Sequence, residues 1–595
     1  MSLSSPRKRS PSLDLTLEGA SSHKTITASS ALVSSLHKLG VTKVFGVSGG
    51  AIAAIWHSFS TSAIEVIHCR HETGAVFAAT EYHFASDEPV AVFTTSGPGL
   101  TNALTGLLAA RDEGAKVILI SPFSPAANRT RWLIQETTFS TMPADLYRSG
   151  PLFHFASVIE DPAQLNQTTV QLAAGLRRLG GFMAHLAVPP SVQSALIDRV
   201  PTRQVTASML NPSQLSLSPA SVKRYADLLL SGPTVIWVGF GARQAAQQVR
   251  ELAIRLQARV ICSPRGKGIF PENHPLFGGV TGMGGHDWVA AELAKIAPQH
   301  ILVLGSRLGE PSSFYDSRLT PSVSFIHVDI DPAVPGVSYP MVPTEAVCTE
   351  IGRFLTALLT HIPDHFPARL SESSPTAEPP TANASISNQG LLLTANSHGR
   401  VRPQYLMQLI QTRLIDPAAA ILLADSGNSF VWTTHYLQFT RPGQYRVSTG
   451  VGSMGHAAAG VLGAAIASKK AVAVVGDGAM LMNNEINTAV HCGAPALWIV
   501  LNDGRYNMCD QGMETLGLTA DATLPAVDFS RFAIAQGATG LQAKNERQLE
   551  PALEAAIAST GPCGLDVWID PTLRPPSDNR NSGLKRQMVF PQTPS

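Results

Sequence analysis

The chain has 595 residues, 44% hydrophobic and 15% charged, with 44 Lys and Arg against 43 Asp and Glu for a formal net charge of +1. That length and composition suit a globular protein of three or four domains, and the balanced charge gives no electrostatic basis for holding nucleic acid or a membrane surface. The six cysteines, Cys69, Cys262, Cys348, Cys492, Cys509 and Cys563, have no CxxC spacing. They argue against a disulfide framework or a zinc site and read as reduced, mostly buried thiols. No apolar stretch reaches the roughly 18 residues a membrane span needs. A soluble cytoplasmic protein is expected, with small molecules and other subunits as its partners.

Residues 1–24, MSLSSPRKRSPSLDLTLEGASSHK, are rich in Ser and Pro and have a short basic cluster but no apolar core of a secretory signal. Asp14 and Glu18 weaken a transit-peptide reading, so a disordered extension is expected. Over 25–192, the apolar runs KVFGV, IEVIH, VAVFTT and KVILIS alternate with helical patterns such as TASSALVSSLHKL and TNALTGLLAARDEG. Such alternation predicts a doubly wound parallel sheet with helices on both faces. A second unit of the same kind is expected over 215–365, with strands TVIWVG, ARVICS, HILVLG and SFIHVDI. Residues 366–400, Ser/Pro/Ala-rich over 370–390, read as a linker. A third unit, 401–575, carries AILLAD, AVAVVG, ALWIVLN and GLDVWID, and 576–595 reads as a tail.

Three α/β units on one chain point to a ligand held at the carboxyl ends of parallel strands. Asp477 follows AVAVVG and Asp503 follows ALWIVLN, so both carboxylates are expected to project from one sheet edge into one crevice. In the Gly476-Asp477-Gly478 turn the glycines let a ligand approach backbone N–H groups at a helix N-terminus, an anion cradle with a carboxylate beside it. A diphosphate bridged by Mg²⁺ needs both features, because hard oxygen ligands hold the ion while N–H groups take the phosphate oxygens. Taken alone, the turn is equally compatible with a plain strand-to-helix connection.

Asp503 comes 26 residues after Asp477 in NDGRYNM, where an oxygen ligand again precedes a glycine. With this spacing the chain resembles the thiamine diphosphate enzymes, whose GDG is followed at a similar interval by an Asn pair. The resemblance implies Asp477, the Asp503 side chain and the Arg505 carbonyl as Mg²⁺ ligands, with Asn502 the alternative to Asp503. It further implies that Gly476, Gly478, Ala479, Gly427 and Asn428 form the diphosphate site, and that Met454 in GVGSMGHAAAG is the apolar wedge under the cofactor. The stretch 67–121, with RHETGA and TSGPG, resembles the pyrimidine-binding half and puts Glu72 at the position of the family's essential glutamate. A carboxyl group on the aminopyrimidine N1′ promotes the tautomer that deprotonates the thiazolium.

Within that family the closest resemblance, over 25 to about 570, is to the acetolactate synthase-like carboligases, through FGVSGGAIAAIW, PRGKGIFPENHPLFGGVTGMGG and FIHVDIDP. It implies three domains (pyrimidine-binding, central and diphosphate-binding), a homodimer or homotetramer, and Gln135 of WLIQETT beside the reacting centre. The implied activity is decarboxylation of a 2-keto acid, pyruvate first, with acyl transfer to an aldehyde or 2-keto acid. A 2-keto acid decarboxylase or oxidase, or a catalytically silent cofactor-binding homologue, is the alternative. Two departures bear on cofactor and substrate. SRLGEPSSF (306–314) replaces the arginine-bracketed stretch of the FAD-containing synthases, so FAD is not favoured. Gly512 stands where those enzymes carry a tryptophan that closes the pocket, so room for a bulkier substrate is expected. The GFGAR of the middle unit reads as a vestigial cofactor turn.

Overall fold

The computed structural model describes residues 25–198, 217–364, 393–396, 399–417, 420–468, 470–576 and 578–588. The extension expected over 1–24 and the Ser/Pro/Ala stretch 370–390 lie outside the described residues. Three six-stranded parallel sheets with their helices make three α/β domains. The described residues gather into two compact units, those within Met1–His68 and Glu88–Gln214, and those within Cys69–Asp87 and Leu215–Ser595. Among them no helix is long and apolar enough to cross a membrane. All six cysteines are free, with Cys69, Cys262 and Cys563 buried and Cys509 exposed.

The strands of the first unit are β1 (Thr25–Thr27), β2 (Lys43–Gly46), β3 (Glu65–His68), β4 (Val90–Phe93), β5 (Lys116–Pro122), β6 (Phe155–Val158), β7 (Phe182–Val188) and β8 (Leu196–Asp198). The parallel sheet runs β3-β2-β4-β5-β7-β6, and β1 pairs antiparallel with β8. Thr27 caps the helix Ala28–Lys38 by accepting the Ser30 N–H at 3.2 Å. Leu32, Val33 and Leu36 of that helix, at helical spacing, join the core with Val44, Ala91 and Ile118.

The central domain holds β9 (Thr234–Val238), β10 (Arg259–Cys262), β11 (Phe277–Val280), β12 (His300–Leu304), β13 (Ser324–Asp329) and β14 (Thr344–Cys348), in the order β11-β10-β9-β12-β13-β14. Alternate residues of β9 enter different cores. Ile236 and Val238 pack with Leu252, Phe354 and Leu355, while Val235 and Trp237 pack with Val289 and Leu293. A strand buried on both faces needs apolar residues at every position, which is why TVIWV has no polar alternation. The strand order is that of dinucleotide-binding domains, with its switch point between β9 and β12. There Gly241 donates its N–H to the Gly305 carbonyl at 3.0 Å, and a Cβ on Gly241 would lie 2.9 Å from the Gly305 Cα. The GFGAR glycines thus serve a backbone-to-backbone contact.

The third domain carries β15 (Ile421–Ala424), β16 (Tyr445–Val447), β17 (Ala471–Gly476), β18 (Ala496–Asn502), β19 (Thr539–Ala543) and β20 (Cys563–Trp568), ordered β16-β15-β17-β18-β20-β19. On one face Leu422, Val472, Val474, Leu497 and Leu565 pack on Leu406 and Leu553. The helix His456–Ala467 adjoins β17, and the Trp498 Nε1 donates to its Ala458 carbonyl at 2.7 Å. Glycines at 460 and 463 let this helix press against the helix Glu72–Ser86, since a Cβ on Gly463 would run into the Ala78 carbonyl. Both helices are buried on most faces, and the second is apolar nearly all round.

One ion pair crosses that contact. Arg446 of β16 donates to Glu81 through Nε at 2.8 Å and Nη2 at 3.1 Å, the His456 Nε2 lies 2.9 Å from the same carboxylate, and the side chains of Glu81 and Arg446 are 3% and 4% exposed. Burial pushes the Glu81 carboxyl upward, but Arg446 and His456 outweigh it and hold the group well below the usual carboxylate range. Because the folded value is depressed, the stabilisation is present above the unfolded value of 4.5 and fades as pH falls below it. Glu81→Ala leaves a buried guanidinium without its partner and should lower the unfolding free energy by about 3–5 kcal/mol. A denaturant titration that shows no loss would remove this pair from the account of the fold.

Candidate active site

Adjacent parallel strands send their carboxyl ends to the same edge, and in the third domain four neighbours, β16-β15-β17-β18, do so with every residue expected there. After β15 come Gly427 at φ +105°, a conformation suited to glycine, and Asn428 at the start of the helix Asn428–Tyr436. After β16 comes the turn bearing Met454. After β17 comes the helix Asp477–Met482, which begins with Asp477, Gly478 and Ala479, and Asp503 follows β18.

Asp477 and Asp503 end adjacent strands in register, Gly476 opposite Leu501. Asp477 is 5% exposed; its Oδ1 accepts the Gly478 N–H at 2.7 Å and its Oδ2 the Gly504 N–H at 2.8 Å. Burial, and then the negative charge of Asp503, push the Asp477 carboxyl up to about 6. Burial also raises Asp503, whose Oδ2 accepts from the Asn507 Nδ2 at 2.7 Å. Asn507 is held in turn by the Gln511 Nε2 at 2.9 Å, so the helix Asn507–Thr515 fixes the Asp503 carboxylate from one side. Asn502, the alternative ligand, faces elsewhere: its Nδ2 donates to Asp566 and to the Val527 carbonyl, each at 2.9 Å. The loop of Arg505 is pinned by Leu524 N–H to Gly504 O at 2.7 Å and Tyr506 N–H to Ala522 O at 2.9 Å.

The residues present fit a metal and an anion. Two neighbouring buried carboxylates that repel each other suit a hard cation with oxygen ligands. No third His, Cys, Asp or Glu joins them in a metal cluster among the described residues, which leaves a main-chain carbonyl and ligand oxygens to complete a coordination shell. The Asn428 Oδ1 is buried with no hydrogen-bond partner. Nothing lies within 4 Å of a Cβ built on Gly427 or Gly476, whereas one on Gly478 would strike the Tyr506 ring.

Glu72, 7% exposed, is the first residue of its helix, and His71 caps it through Nδ1, which accepts the Thr73 N–H at 3.1 Å. Sequence reading missed what ties this helix to the third domain. Glu485 accepts the Arg70 N–H at 3.0 Å and the His71 N–H at 3.1 Å, and a Cβ on Gly74 would fall 3.2 Å from the Asn483 Oδ1. Asn483 also packs on Gly455, where a Cβ would come within 2.8 Å of its Cβ. One short segment after the Asp477 helix therefore positions both the start of the Glu72 helix and the Met454 turn. The signal available was Glu485 just ahead of a helical pattern, which alone reads as an ordinary helix start.

Asp425 received no role from sequence and is fully buried. Its carboxylate accepts N–H groups from Ser426 at 2.8 Å, Gly455 at 2.9 Å and Ala458 at 2.9 Å, so it caps the helix His456–Ala467 and fixes the turn that carries Met454. Gln135 belongs to the first unit, where it is exposed at φ +56° with its Cβ 2.9 Å from where a Gly97 Cβ would stand. Gly97 is itself held by Thr137, whose hydroxyl accepts its N–H at 2.9 Å. Gln135 thus sits against the TSGPG turn in a conformation unusual for a residue with a side chain.

The room expected beside Gly512 is filled. A Cβ there would lie 3.4 Å from the Arg580 Nη2 and 3.6 Å from the Leu584 Cδ1, both on the helix Asp578–Met588. That helix falls in the stretch read as a tail, whose polar sequence carried no signal of a packed element.

Three family models match the chain: the N-terminal TPP binding domain of thiamine pyrophosphate enzymes over 26–142, their central domain over 223–358 and their C-terminal TPP binding domain over 425–567. The chain is 27% identical over 575 residues to the acetolactate synthase large subunit of Parasynechococcus marenigrum, spanning 92% of this chain and 88% of that protein. It is 28% identical over 566 residues to the acetolactate synthase of Mycobacterium bovis, 90% of this chain and 86% of that one. With acetolactate synthase isozyme 1 large subunit of Escherichia coli K12 it shares 26% identity over 560 residues, 92% and 95% of the two chains.

Replacing Asp425 by Ala should leave the buried N–H groups of Gly455 and Ala458 without an acceptor, at about 1–3 kcal/mol each. The expected result is a lower melting temperature with faster hydrogen exchange over 452–458; unchanged exchange there would sink the capping role.

Proposed function

The chain belongs to the thiamine pyrophosphate enzyme family, and from that premise we propose that it is a Mg²⁺-dependent carboligase, which decarboxylates a 2-keto acid, pyruvate first, and joins the acyl unit to a second carbonyl compound. The observation that carries the reading is the carboxylate pair at the ends of β17 and β18, Asp477 next to Asp503, beside the open glycine turns at 427 and 476. Acetolactate synthases among its relatives support the reaction class.

Thiamine diphosphate, when bound, supplies the carbanion-stabilising centre that makes loss of CO₂ and acyl transfer feasible. Asp477, Asp503 and the Arg505 carbonyl would hold the metal, while the backbone at Gly476, Gly478, Ala479 and Gly427, with the Asn428 side-chain amide as a further donor, would hold the diphosphate. Met454, on a turn fixed by Asp425, would be the apolar wedge under the cofactor, acting by proximity. Glu72, buried at its helix start, would hydrogen-bond the pyrimidine N1′ of the bound cofactor and keep a proton at that nitrogen. Gln135 orients substrate. The cytoplasm is the proposed setting.

Pyruvate turnover with thiamine diphosphate and Mg²⁺ tests the reading. Release of CO₂ with an acyloin or 2-hydroxy-3-oxo acid product is expected, whereas CO₂ with free acetaldehyde alone would make the protein a decarboxylase. Glu72→Gln should abolish turnover and leave cofactor affinity within a few-fold, while Asp477→Ala or Asp503→Ala should weaken Mg²⁺-dependent cofactor binding about 10- to 100-fold. Full turnover by Glu72→Gln would refute the assigned proton position. We also propose at least a homodimer, as in the resemblance; sedimentation of an active, concentration-independent monomer would refute it.

A further inference from the structure

At the amino edge of the first parallel sheet, on the far side from the TSGPG turn, three chain segments converge on the start of β7. The Phe182 N–H donates to the Ala115 carbonyl at 2.9 Å and the His154 N–H to the Met183 carbonyl at 2.9 Å, so the end of the helix Leu104–Glu113 and the residue ahead of β6 both lie beside β7. The helix Gln164–Leu176 closes the third side. A Cβ on its Gly175 would strike the Phe182 ring, and one on Gly181 would fall 2.5 Å from the Gly114 carbonyl carbon. The turn after one helix is thereby pressed against the end of the other.

These segments carry Arg111 in a last helical turn, Arg178 just beyond the other helix, and His154. Arg111 is half-buried, and its Nη1 is out of solvent with no hydrogen-bond partner. Burial and then the charge of Arg178 lower its pKa, and neither Asp112 nor Glu113, adjacent in sequence, is among the causes. His154 stacks on Phe182 with ring centres 6.0 Å apart, and its Nδ1 accepts the Met183 N–H at 2.9 Å. Burial, then Arg111 and Arg178, pull the imidazole down to about 4, so the ring is neutral near pH 7 and its proton sits on Nε2. Each guanidinium taken singly suits the carbonyl end of its helix. Crowding the two together, with a buried N–H group of one left unpaired, is a cost that the helix dipoles do not explain.

Every side-chain group free to bind at this place is a donor and two are cations, which excludes a metal ion and fits an anion with several acceptor oxygens. A phosphate group, at about −1.5 to −2 near neutral pH, matches the two guanidinium charges, whereas a carboxylate leaves one unbalanced. We propose that Arg111, Arg178 and His154 form a binding site for a phosphate-type oxyanion, either inorganic phosphate or the phosphate group of a small metabolite. The anion replaces the repulsion between the guanidiniums by attraction to a shared partner, and the His154 Nε2–H adds a third donor. None of these residues belongs to the cofactor or metal set, so the site stands whether or not the carboligase reading holds.

The test uses the full chain saturated with thiamine diphosphate and Mg²⁺, which keeps the probe out of the diphosphate site, in chloride buffer of fixed ionic strength. Inorganic phosphate, titrated by calorimetry, should bind the wild type and raise its melting temperature in step with concentration. Arg111→Gln and Arg178→Gln should each weaken that binding about 10- to 100-fold, with unchanged circular dichroism. Arg178 is exposed, so its variant reports on the site without disturbing the packed helix end. A wild type that does not bind phosphate at matched ionic strength, or binding equal in wild type and Arg178→Gln, would overturn the assignment. Phenyl phosphate in a parallel titration separates the sources. Binding about tenfold tighter than inorganic phosphate supports the site as one for a phosphorylated metabolite, and equal or weaker binding supports it as one for free phosphate.

Discussion

Two carboxylates drawn out of water beside each other are a standing cost, and the third domain is arranged around keeping Asp477 and Asp503 in that state. Parallel pairing of β17 with β18 sets them one residue apart at the same edge. Backbone N–H groups of Gly478 and Gly504 offset part of the burial of Asp477, and Asn507 offsets part of that of Asp503. What those donors leave uncompensated is the mutual repulsion, which a divalent cation removes directly. Asn502, the last residue of β18, points away from Asp503 as successive strand residues do, and its amide joins the buried Asp566 network.

A second set of buried acids holds the scaffold that carries the site. Asp425, Glu81 and Glu485 each satisfy backbone or guanidinium donors that would otherwise be stranded: the Met454 turn, Arg446, and the start of the Glu72 helix. Their roles divide by partner. Where a guanidinium faces the acid, as at Glu81, the charged form is strongly favoured. Where the hydrogen bonds come from N–H groups or a hydroxyl, as at Asp425 and Glu485, burial prevails over them and over the weaker pull of His456 or Arg70, and the group is pushed upward.

Much of the architecture was legible because both-face burial forces continuous apolar runs. KVILIS, TVIWVG, AVAVVG and ALWIVLN, all read as strands, are inner strands of their sheets. The strands not read were mostly at the edges: FASV, FGGV, TEAVC, YRV and TGLQA form β6, β11, β14, β16 and β19. An edge strand shields less apolar surface and is shorter or more polar, so its period is too weak to separate from loop. The inner β7, FMAHLAV, also escaped, its run broken by His185, which is satisfied in the core by Ser121 at 2.8 Å.

By itself, the sequence determined the local chemistry of this protein: which strands end in a carboxylate, which turns are built of glycine, and that these sit at the carboxyl edge of a parallel sheet. Those features follow from side-chain type and short-range spacing, which a chain cannot hide. Only the tertiary structure decided what depends on segments distant in the chain. Glu485 binds the backbone of residues 70 and 71, Glu81 meets Arg446, and the helix Asp578–Met588 brings Arg580 to Gly512. Each joins residues tens to hundreds of positions apart, and whether a charged side chain is a solvated surface group or a buried partner depends on what packs over it, which no local pattern records.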